Sequence, residues 1–203
     1  RLLARFDHPS LVKVYRFWED NGTAYMVMPY YDGRTLRQVR QGMVVPPGEA
    51  ACRRVLDALL AALETLHREG VYHRDIAPDN IQIEADGRPV LLDFGAARRV
   101  ISDKSQALTA ILKPAYAPIE QYGEAGSVKQ GPWTDLYALG ALTYRLLTRT
   151  YPFVAKSAVG VLTKHLTAEL EAPSKRAASR SPDRMRTTPR GRRSCPECSL
   201  PRR

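Results

Sequence analysis

Three side chains near the middle of the chain have the residue types and the spacing that phosphoryl transfer requires. Asp75 and Asn80 lie five residues apart in the run His-Arg-Asp-Ile-Ala-Pro-Asp-Asn, and Asp93 follows Asn80 by thirteen residues. Phosphoryl transfer needs a carboxylate that orients and deprotonates the attacking hydroxyl, and oxygen ligands that hold Mg²⁺ against the phosphates. Asp75 suits the first task, while Asn80 and Asp93 suit the second.

Three motifs in a fixed order carry a family resemblance. They are the His-Arg-Asp run with its asparagine, Asp-Phe-Gly at 93–95 and Ala-Pro-Ile-Glu at 117–120. Together they resemble the protein kinase family, and above all bacterial serine/threonine kinases, over roughly residues 1–155. The resemblance implies an enzyme that uses ATP and Mg²⁺ to transfer the γ-phosphoryl group to a Ser or Thr hydroxyl of a protein substrate.

The resemblance also assigns roles around these motifs. Asp75 is expected to be the catalytic base, and Asn80 and Asp93 the magnesium ligands. Arg74 is expected to couple the catalytic loop, residues 73–80, to the activation segment, residues 93–120. The candidate phosphorylation sites, whose added charge could order that segment against the arginine, are Ser102, Ser105 and Thr109.

Nucleotide binding is expected at the segment from Met28 to Gly33, which resembles the hinge between the two lobes of a kinase. Met28 would limit the back of the pocket, and main-chain groups of Pro29 and Tyr31 would bind the adenine. Proline has no N–H but keeps its carbonyl acceptor, so Pro29 fits this role. Thr35 is expected to contact the ribose.

Two residues depart from the pattern of serine/threonine kinases. Ala77 stands where many of them have a lysine, two residues after the catalytic aspartate, and Lys113 stands where a threonine is usual. Our hypothesis is that the Lys113 ammonium acts in catalysis by contacting Asp75 or the transferred phosphate, because ammonium groups serve as point charges for phosphate. The alternative is that Lys113 is a solvated loop residue.

Three further residues are expected to have structural roles. By the resemblance, Asp135 caps and anchors the catalytic loop from below, and His73 packs in the interior instead of exchanging protons. The family pairs the glutamate at position 120 with an arginine in a later helix, and the sequence offers no convincing partner for Glu120.

The resemblance implies an α+β protein kinase-like two-lobe fold, with a partial small β-lobe and a mainly helical large lobe, and the order of the predicted elements matches a kinase core. Short β-rich runs at 11–18 and 24–28 flank Asn21-Gly22, which is a strong hairpin signal. Apolar residues at helical spacing predict helices from Pro47 to His67 and from about Thr134 to Thr148. Two more strands are predicted around 81–83 and 90–92.

The charge pattern divides the chain. Of its net charge of +10, a balance of +8 lies in residues 173–203, which hold ten Lys or Arg and two acidic residues. This segment also has five prolines and few apolar residues, so it is predicted to be a disordered tail. We therefore divide the chain into a small-lobe remnant with the hinge at 1–31, an incomplete large lobe at 32–172, and the tail.

Composition limits the partners. The 172 residues before the tail carry 21 basic and 19 acidic side chains, so no specific nucleic-acid partner is expected. No membrane segment is expected either, because no run of about 18 apolar residues occurs. Three cysteines make no disulfide framework, which favours a cytoplasmic location. The pair Cys195 and Cys198 supplies only two of the four ligands of a structural zinc site.

The family's Gly-rich phosphate loop, strand lysine and partner glutamate are not in the sequence and are expected before Arg1. The chain is therefore predicted to be a fragment that transfers little phosphate alone. Two alternatives stay open, namely an inactive pseudokinase or docking module and a small-molecule phosphotransferase of the same fold. The presence of Asp75, Asn80 and Asp93 argues against the first, and Arg74 with the 117–120 segment argues against the second.

Overall fold

The structure, a computed structural model, describes residues 6–93, 113–122 and 129–178. Five strands and five helices occur in these ranges, together with two 3₁₀ turns at Pro78–Asn80 and Ile119–Gln121. The strands are β1 Arg16–Asp20, β2 Thr23–Val27, β3 Gly33–Thr35, β4 Ile81–Glu84 and β5 Pro89–Leu91. The helices are α1 Leu36–Gln41, α2 Glu49–Arg68, α3 Pro132–Thr148, α4 Ala158–Thr167 and α5 Pro173–Ala178.

The first two strands form the predicted hairpin. They pair antiparallel, with Trp18 opposite Tyr25 and the two rings stacked at a centroid distance of 5.2 Å. The turn residues Asn21 and Gly22 have φ angles of 49° and 71°, the left-handed values that a tight hairpin turn requires. The hairpin prediction is confirmed.

The other three strands form an antiparallel sheet in the order β3-β4-β5 beside the catalytic loop. Gly33 at the start of β3 has to be glycine, because a Cβ there would lie 2.2 Å from the carbonyl oxygen of Ile83. Residues 11–18, predicted as one strand, divide between two sheets. Leu11 bridges to Leu91 of β5 in parallel, and the N–H of Val12 donates to the Leu91 carbonyl at 2.9 Å.

Helices α2 and α3 build the centre of the large lobe. They pack against each other, and α2 also packs against β5. Leu59, Leu63 and Leu66 of α2 are buried as the apolar spacing predicts. On α3, Leu139, Leu142 and Leu146 are buried, and Leu136 from the same predicted stripe is 48% exposed.

The predicted tail begins with an ordered turn of helix. Pro173–Ala178 form α5, which packs against α3, so the disorder prediction does not describe these six residues. Two contacts hold the segment, namely the ion pair of Arg176 with Glu171 at 3.1 Å and the hydrogen bond from the Tyr144 hydroxyl to the Glu171 carbonyl at 3.0 Å. Residues 179–203 lie outside the described part. No helix within the described ranges is long and apolar enough to cross a membrane.

A pair of leucines on α2 tests this packing. Leu63 is 1% exposed and Leu60 is 39% exposed. We expect Leu63→Ala to lower the free energy of unfolding by about 2–5 kcal/mol, because it leaves a cavity in the core. Leu60→Ala should cost less than about 1 kcal/mol. Urea unfolding of the chain, followed by circular dichroism, measures both values, and equal losses would contradict the assigned core.

Candidate active site

The catalytic loop is held by one buried carboxylate. Asp135, in the first turn of α3, has no exposed surface. Its Oδ2 accepts the N–H of His73 at 2.8 Å, and its Oδ1 accepts the N–H of Arg74 at 2.6 Å. The Nε2 of His67 on α2 also lies 2.8 Å from Oδ2. Asp135 therefore anchors the loop as predicted, and the surrounding donors satisfy its charge.

Arg74 has a strained backbone that its neighbours hold in place. Its φ angle is 63°, in the left-handed region that non-glycine residues rarely occupy. Besides the bond from its N–H to Asp135, its carbonyl accepts the side-chain amide of Gln121 at 2.7 Å. The loop geometry at the catalytic motif thus depends on contacts with both α3 and the 3₁₀ turn after the Ala-Pro-Ile segment.

Asp75 lies between an amide and an ammonium. The Nδ2 of Asn80 donates to both the carbonyl and the Oδ2 of Asp75, each at 2.8 Å. The Nζ of Lys113 lies 3.2 Å from Oδ1 and 3.3 Å from Oδ2. The Asp75 side chain keeps 27% of its surface exposed, so its carboxylate is open to solvent.

Asp93 is positioned through the residue before it. The N–H of Leu92 donates to the carbonyl of Asn80 at 2.7 Å, and the carbonyl of Leu92 accepts from Nε2 of His73 at 3.0 Å. Asp93 follows directly with a φ angle of 55°. These two bonds bring the end of β5 against the catalytic loop, so the structure places Asp93 beside the loop that carries Asp75 and Asn80.

The predicted hinge residues form the connection between the two sheets. The Tyr31 hydroxyl accepts the N–H of Lys13 at 2.9 Å, and the Tyr31 carbonyl accepts the side-chain amide of Gln82 at 3.2 Å. Pro29 is half-buried and Met28 is 38% exposed. The hinge is therefore tied to both β4 and the segment before β1.

Thr35 has a local task that the sequence analysis missed. Its hydroxyl accepts the N–H of Gln38 at 3.2 Å, and its own N–H donates to the Gln38 side chain at 2.9 Å. This reciprocal pair is a capping box that starts α1. The Thr-x-x-Gln spacing was a signal for it.

Two other contacts could not be read from the sequence. The carboxylate of Glu120, for which an arginine partner was sought, accepts the hydroxyl of Thr134 at 2.8 Å. Gln121 supports Arg74, and no spacing signal marks that pair. The candidate phosphorylation sites Ser102, Ser105 and Thr109 lie outside the described residues.

Residues 1–190 match the family model of the protein kinase domain. The chain belongs to the protein kinase family. It is 36% identical over 181 residues to a probable serine/threonine-protein kinase of Streptomyces coelicolor, covering 84% of this chain and 26% of that protein. It is 34% identical over 177 residues to the serine/threonine-protein kinase PknL of Mycobacterium tuberculosis, covering 86% of this chain and 43% of that protein.

The solved structure of the apo form of PpkA matches this kinase chain with a TM-score of 0.70 and 45% identity, over 91% of this chain and 62% of that one. The predicted family and the kinase-like fold with a partial small lobe are therefore confirmed. The chain spans less than half the length of the curated relatives described above.

Because His73 is buried, the stability of the fold is expected to depend on pH. His73 is 1% exposed, and burial lowers its pKa from 6.5, against the opposing effect of the Asp135 carboxylate. Because the folded state disfavours the charged ring, the stabilising effect is complete above pH 6.5 and is lost as the pH falls through the lower folded-state pKa.

We expect an NMR titration of the His73 ring protons to give a midpoint below 6.5, with the signal assigned by its loss in His73→Gln. The free energy of unfolding should also fall more steeply on acidification in the native chain than in this variant. A midpoint at or above 6.5 would contradict the assigned burial.

Proposed function

We propose that the chain is the catalytic part of a serine/threonine protein kinase, which transfers the γ-phosphoryl group of ATP to a Ser or Thr hydroxyl of a protein. The observation that carries this proposal is the Asp75 carboxylate, held by Asn80 and Lys113 on the loop that Leu92, the residue before Asp93, binds through its N–H. In this role Asp75 orients the substrate hydroxyl and accepts its proton as the phosphoryl group transfers.

The donor set fits a magnesium ion. Because Nδ2 of Asn80 donates to Asp75, the Oδ1 of Asn80 is the side-chain atom that remains available as a metal ligand. That oxygen and the Asp93 carboxylate would supply two oxygen ligands. Mg²⁺ characteristically takes few protein ligands and completes its shell with phosphate oxygens and water. When bound, the ion would offset the charge that develops on the phosphates.

Lys113 would take over the task of the lysine that is absent from the catalytic loop. Ala77 is fully buried and carries no charge, so that position cannot supply a cation. The Lys113 ammonium reaches Asp75 from the activation segment, and the Lys113 side chain is 31% exposed. From there it can interact with the transferred phosphoryl group while it stays paired with the Asp75 carboxylate.

Nucleotide binding would use the residues between the sheets. We propose that main-chain groups of Pro29 and Tyr31 bind adenine, that Met28 lines the back of the pocket, and that Thr35 contacts the ribose. The support for the first three of these roles is that Met28, Pro29 and Tyr31 lie in the connection from β2 to β3, which Gln82 ties to β4. Thr35 follows at the end of β3. ATP and a protein are the proposed substrates, and the cytoplasm is the proposed location.

Arg74 is proposed to couple this site to phosphorylation at Ser102, Ser105 or Thr109. Its Nε is buried and has no hydrogen-bond partner within the described part of the chain. Its guanidinium lies 5.8 Å from the ring centroid of Tyr72. A phosphate group on the activation segment would provide the anionic acceptor that this donor needs.

Asp75→Asn is the direct test of the proposed chemistry. We expect it to lower kcat of the natural full-length protein about 10²–10⁴-fold, because the base for the hydroxyl is removed. Asp57→Asn, an exposed carboxylate on α2, is the matched control. The assay follows phosphate incorporation from Mg²⁺–ATP into one acidic and one basic generic protein. Incorporation into small alcohols alone would favour the small-molecule phosphotransferase, and no incorporation would favour the pseudokinase.

Lys113→Met tests the relocated cation. We expect kcat to fall roughly 100-fold, the usual effect of removing one donor to transition-state charge. Lys129→Met removes an exposed lysine elsewhere and should change kcat by less than about twofold. Near-normal turnover of Lys113→Met would contradict the role and leave Lys113 as a solvated loop residue.

A rescue variant sharpens this test. Adding Ala77→Lys to Lys113→Met returns an ammonium to the catalytic loop, so we expect part of the lost kcat to return. Because Ala77 is fully buried, thermal melting must first show that the double variant folds. Folded protein without any recovery would argue that Lys113 contributes something other than its charge.

A further inference from the structure

Two arginines and two tyrosines meet where α1 ends, between the activation segment and the far end of α3. This arginine–tyrosine cluster consists of Arg40, Arg145, Tyr116 and Tyr151. The Arg145 guanidinium lies over the Tyr151 ring, with 3.4 Å between its central carbon and the ring centroid. The rings of Tyr116 and Tyr151 meet edge to face at 5.4 Å.

Hydrogen bonds between the ends of α3 and α1 explain why the two arginines come together. Arg149, at the end of α3, donates to the carbonyls of Met43 and Val44 at 3.0 and 2.6 Å. Those carbonyls follow the last turn of α1, so the last turns of the two helices are held side by side. Arg40 and Arg145 lie in those turns.

The cluster has positive charge without a carboxylate. Neither arginine takes part in an ion pair with any described residue, and the Nε atoms of both are buried without a hydrogen-bond partner in that part of the chain. Burial lowers the pKa of Arg145, and the charge of Arg40 lowers it further, while the two tyrosines oppose that change. Placing like charges together in a poorly hydrated site is unfavourable unless an anion joins them.

The cluster lies beside the proposed catalytic site. The N–H of Tyr116 donates to the carbonyl of Lys113 at 2.8 Å, and Lys113 contacts Asp75. On the other side, Arg37 lies one turn before Arg40 on α1 and pairs with Asp79 of the catalytic loop at 3.2 Å. Both arginines of the cluster are only partly buried, so a ligand can reach them.

We propose that the arginine–tyrosine cluster is a specificity site that binds an acidic side chain of the protein substrate, near the hydroxyl that is phosphorylated. This inference rests on the proposed kinase function. A carboxylate can accept two parallel N–H bonds from a guanidinium, and it would also neutralise the second arginine. The tyrosine rings exclude water around this contact, which strengthens it.

The test uses the natural full-length protein and a set of peptides with one serine in an alanine background. One glutamate is moved through each position on either side of the serine, and an all-alanine peptide is the reference. We expect one glutamate position to raise kcat/KM roughly tenfold over the reference, which is typical of a charge-assisted hydrogen bond. In Arg145→Gln, the ratio of kcat/KM between that glutamate peptide and the all-alanine reference should fall to near one. The Arg145→Glu variant should prefer a peptide with arginine at the same position.

The ratio is measured within each variant, so a general loss of activity cancels. Arg53→Gln removes a 67% exposed arginine on α2 and should keep the native glutamate preference. Thermal melting checks the fold, and Arg40→Gln replaces Arg145→Gln if the latter unfolds. Phosphorylation of all peptides with equal kcat/KM would overturn the specificity site while the kinase function stands.

A binding measurement separates this inference from the kinase function. If no peptide is phosphorylated, the proposed function fails, and fluorescence anisotropy with labelled glutamate and alanine peptides then decides about the site. Tighter binding of the glutamate peptide that is lost in Arg145→Gln would support the cluster as an anion site. Equal binding of both peptides would overturn it.

Discussion

A single carboxylate in the interior determines where the catalytic loop lies. Asp135 is fully buried, and burial of an unpaired charge would cost several kcal/mol. The fold meets this constraint by directing the N–H groups of His73 and Arg74 and the ring of His67 onto its two oxygens. Because the backbone of the loop supplies two of these donors, the loop cannot move from α3 without removing two of the three partners of this charge. The left-handed conformation of Arg74 persists for this reason.

Hydrogen bonds connect the loop that Asp135 holds to the rest of the candidate site. His73 binds the carbonyl of Leu92, and the N–H of Leu92 binds Asn80, so the end of β5 and the catalytic loop form one unit. Asn80 then fixes Asp75 through its side-chain amide. Most of these bonds involve main-chain groups, which depend little on side-chain rotamers. The backbone that carries Asp75, Asn80 and Asp93 is therefore fixed largely by hydrogen bonds within the fold.

The cations nearest Asp75 and in the arginine–tyrosine cluster come from outside the catalytic loop. Lys113 belongs to the activation segment, and Arg40 and Arg145 belong to α1 and α3. The charge next to Asp75 thus depends on how the segment from 113 to 122 packs, and Gln121 links that same segment to Arg74. In such an arrangement, a displacement of the segment removes both a charge and a support from the loop. Under the proposed function, catalytic activity would therefore depend on how this segment packs against the loop.

The sequence by itself determined the family, the hairpin at Asn21-Gly22 and the two long helices. It also singled out Asp75, Asn80 and Asp93. Local turn chemistry, apolar periodicity and fixed motif spacing are properties of neighbouring residues, so the sequence alone carries them. Tertiary structure alone decided the pairing of Glu120 with Thr134 and the arginine–tyrosine cluster. It also decided between the two alternatives that the sequence left for Lys113, because it places the ammonium against Asp75. It also placed Leu11 against β5 and left Leu136 exposed. These features join residues far apart in the chain, and their distances depend on how helices and sheets pack, which no local pattern encodes.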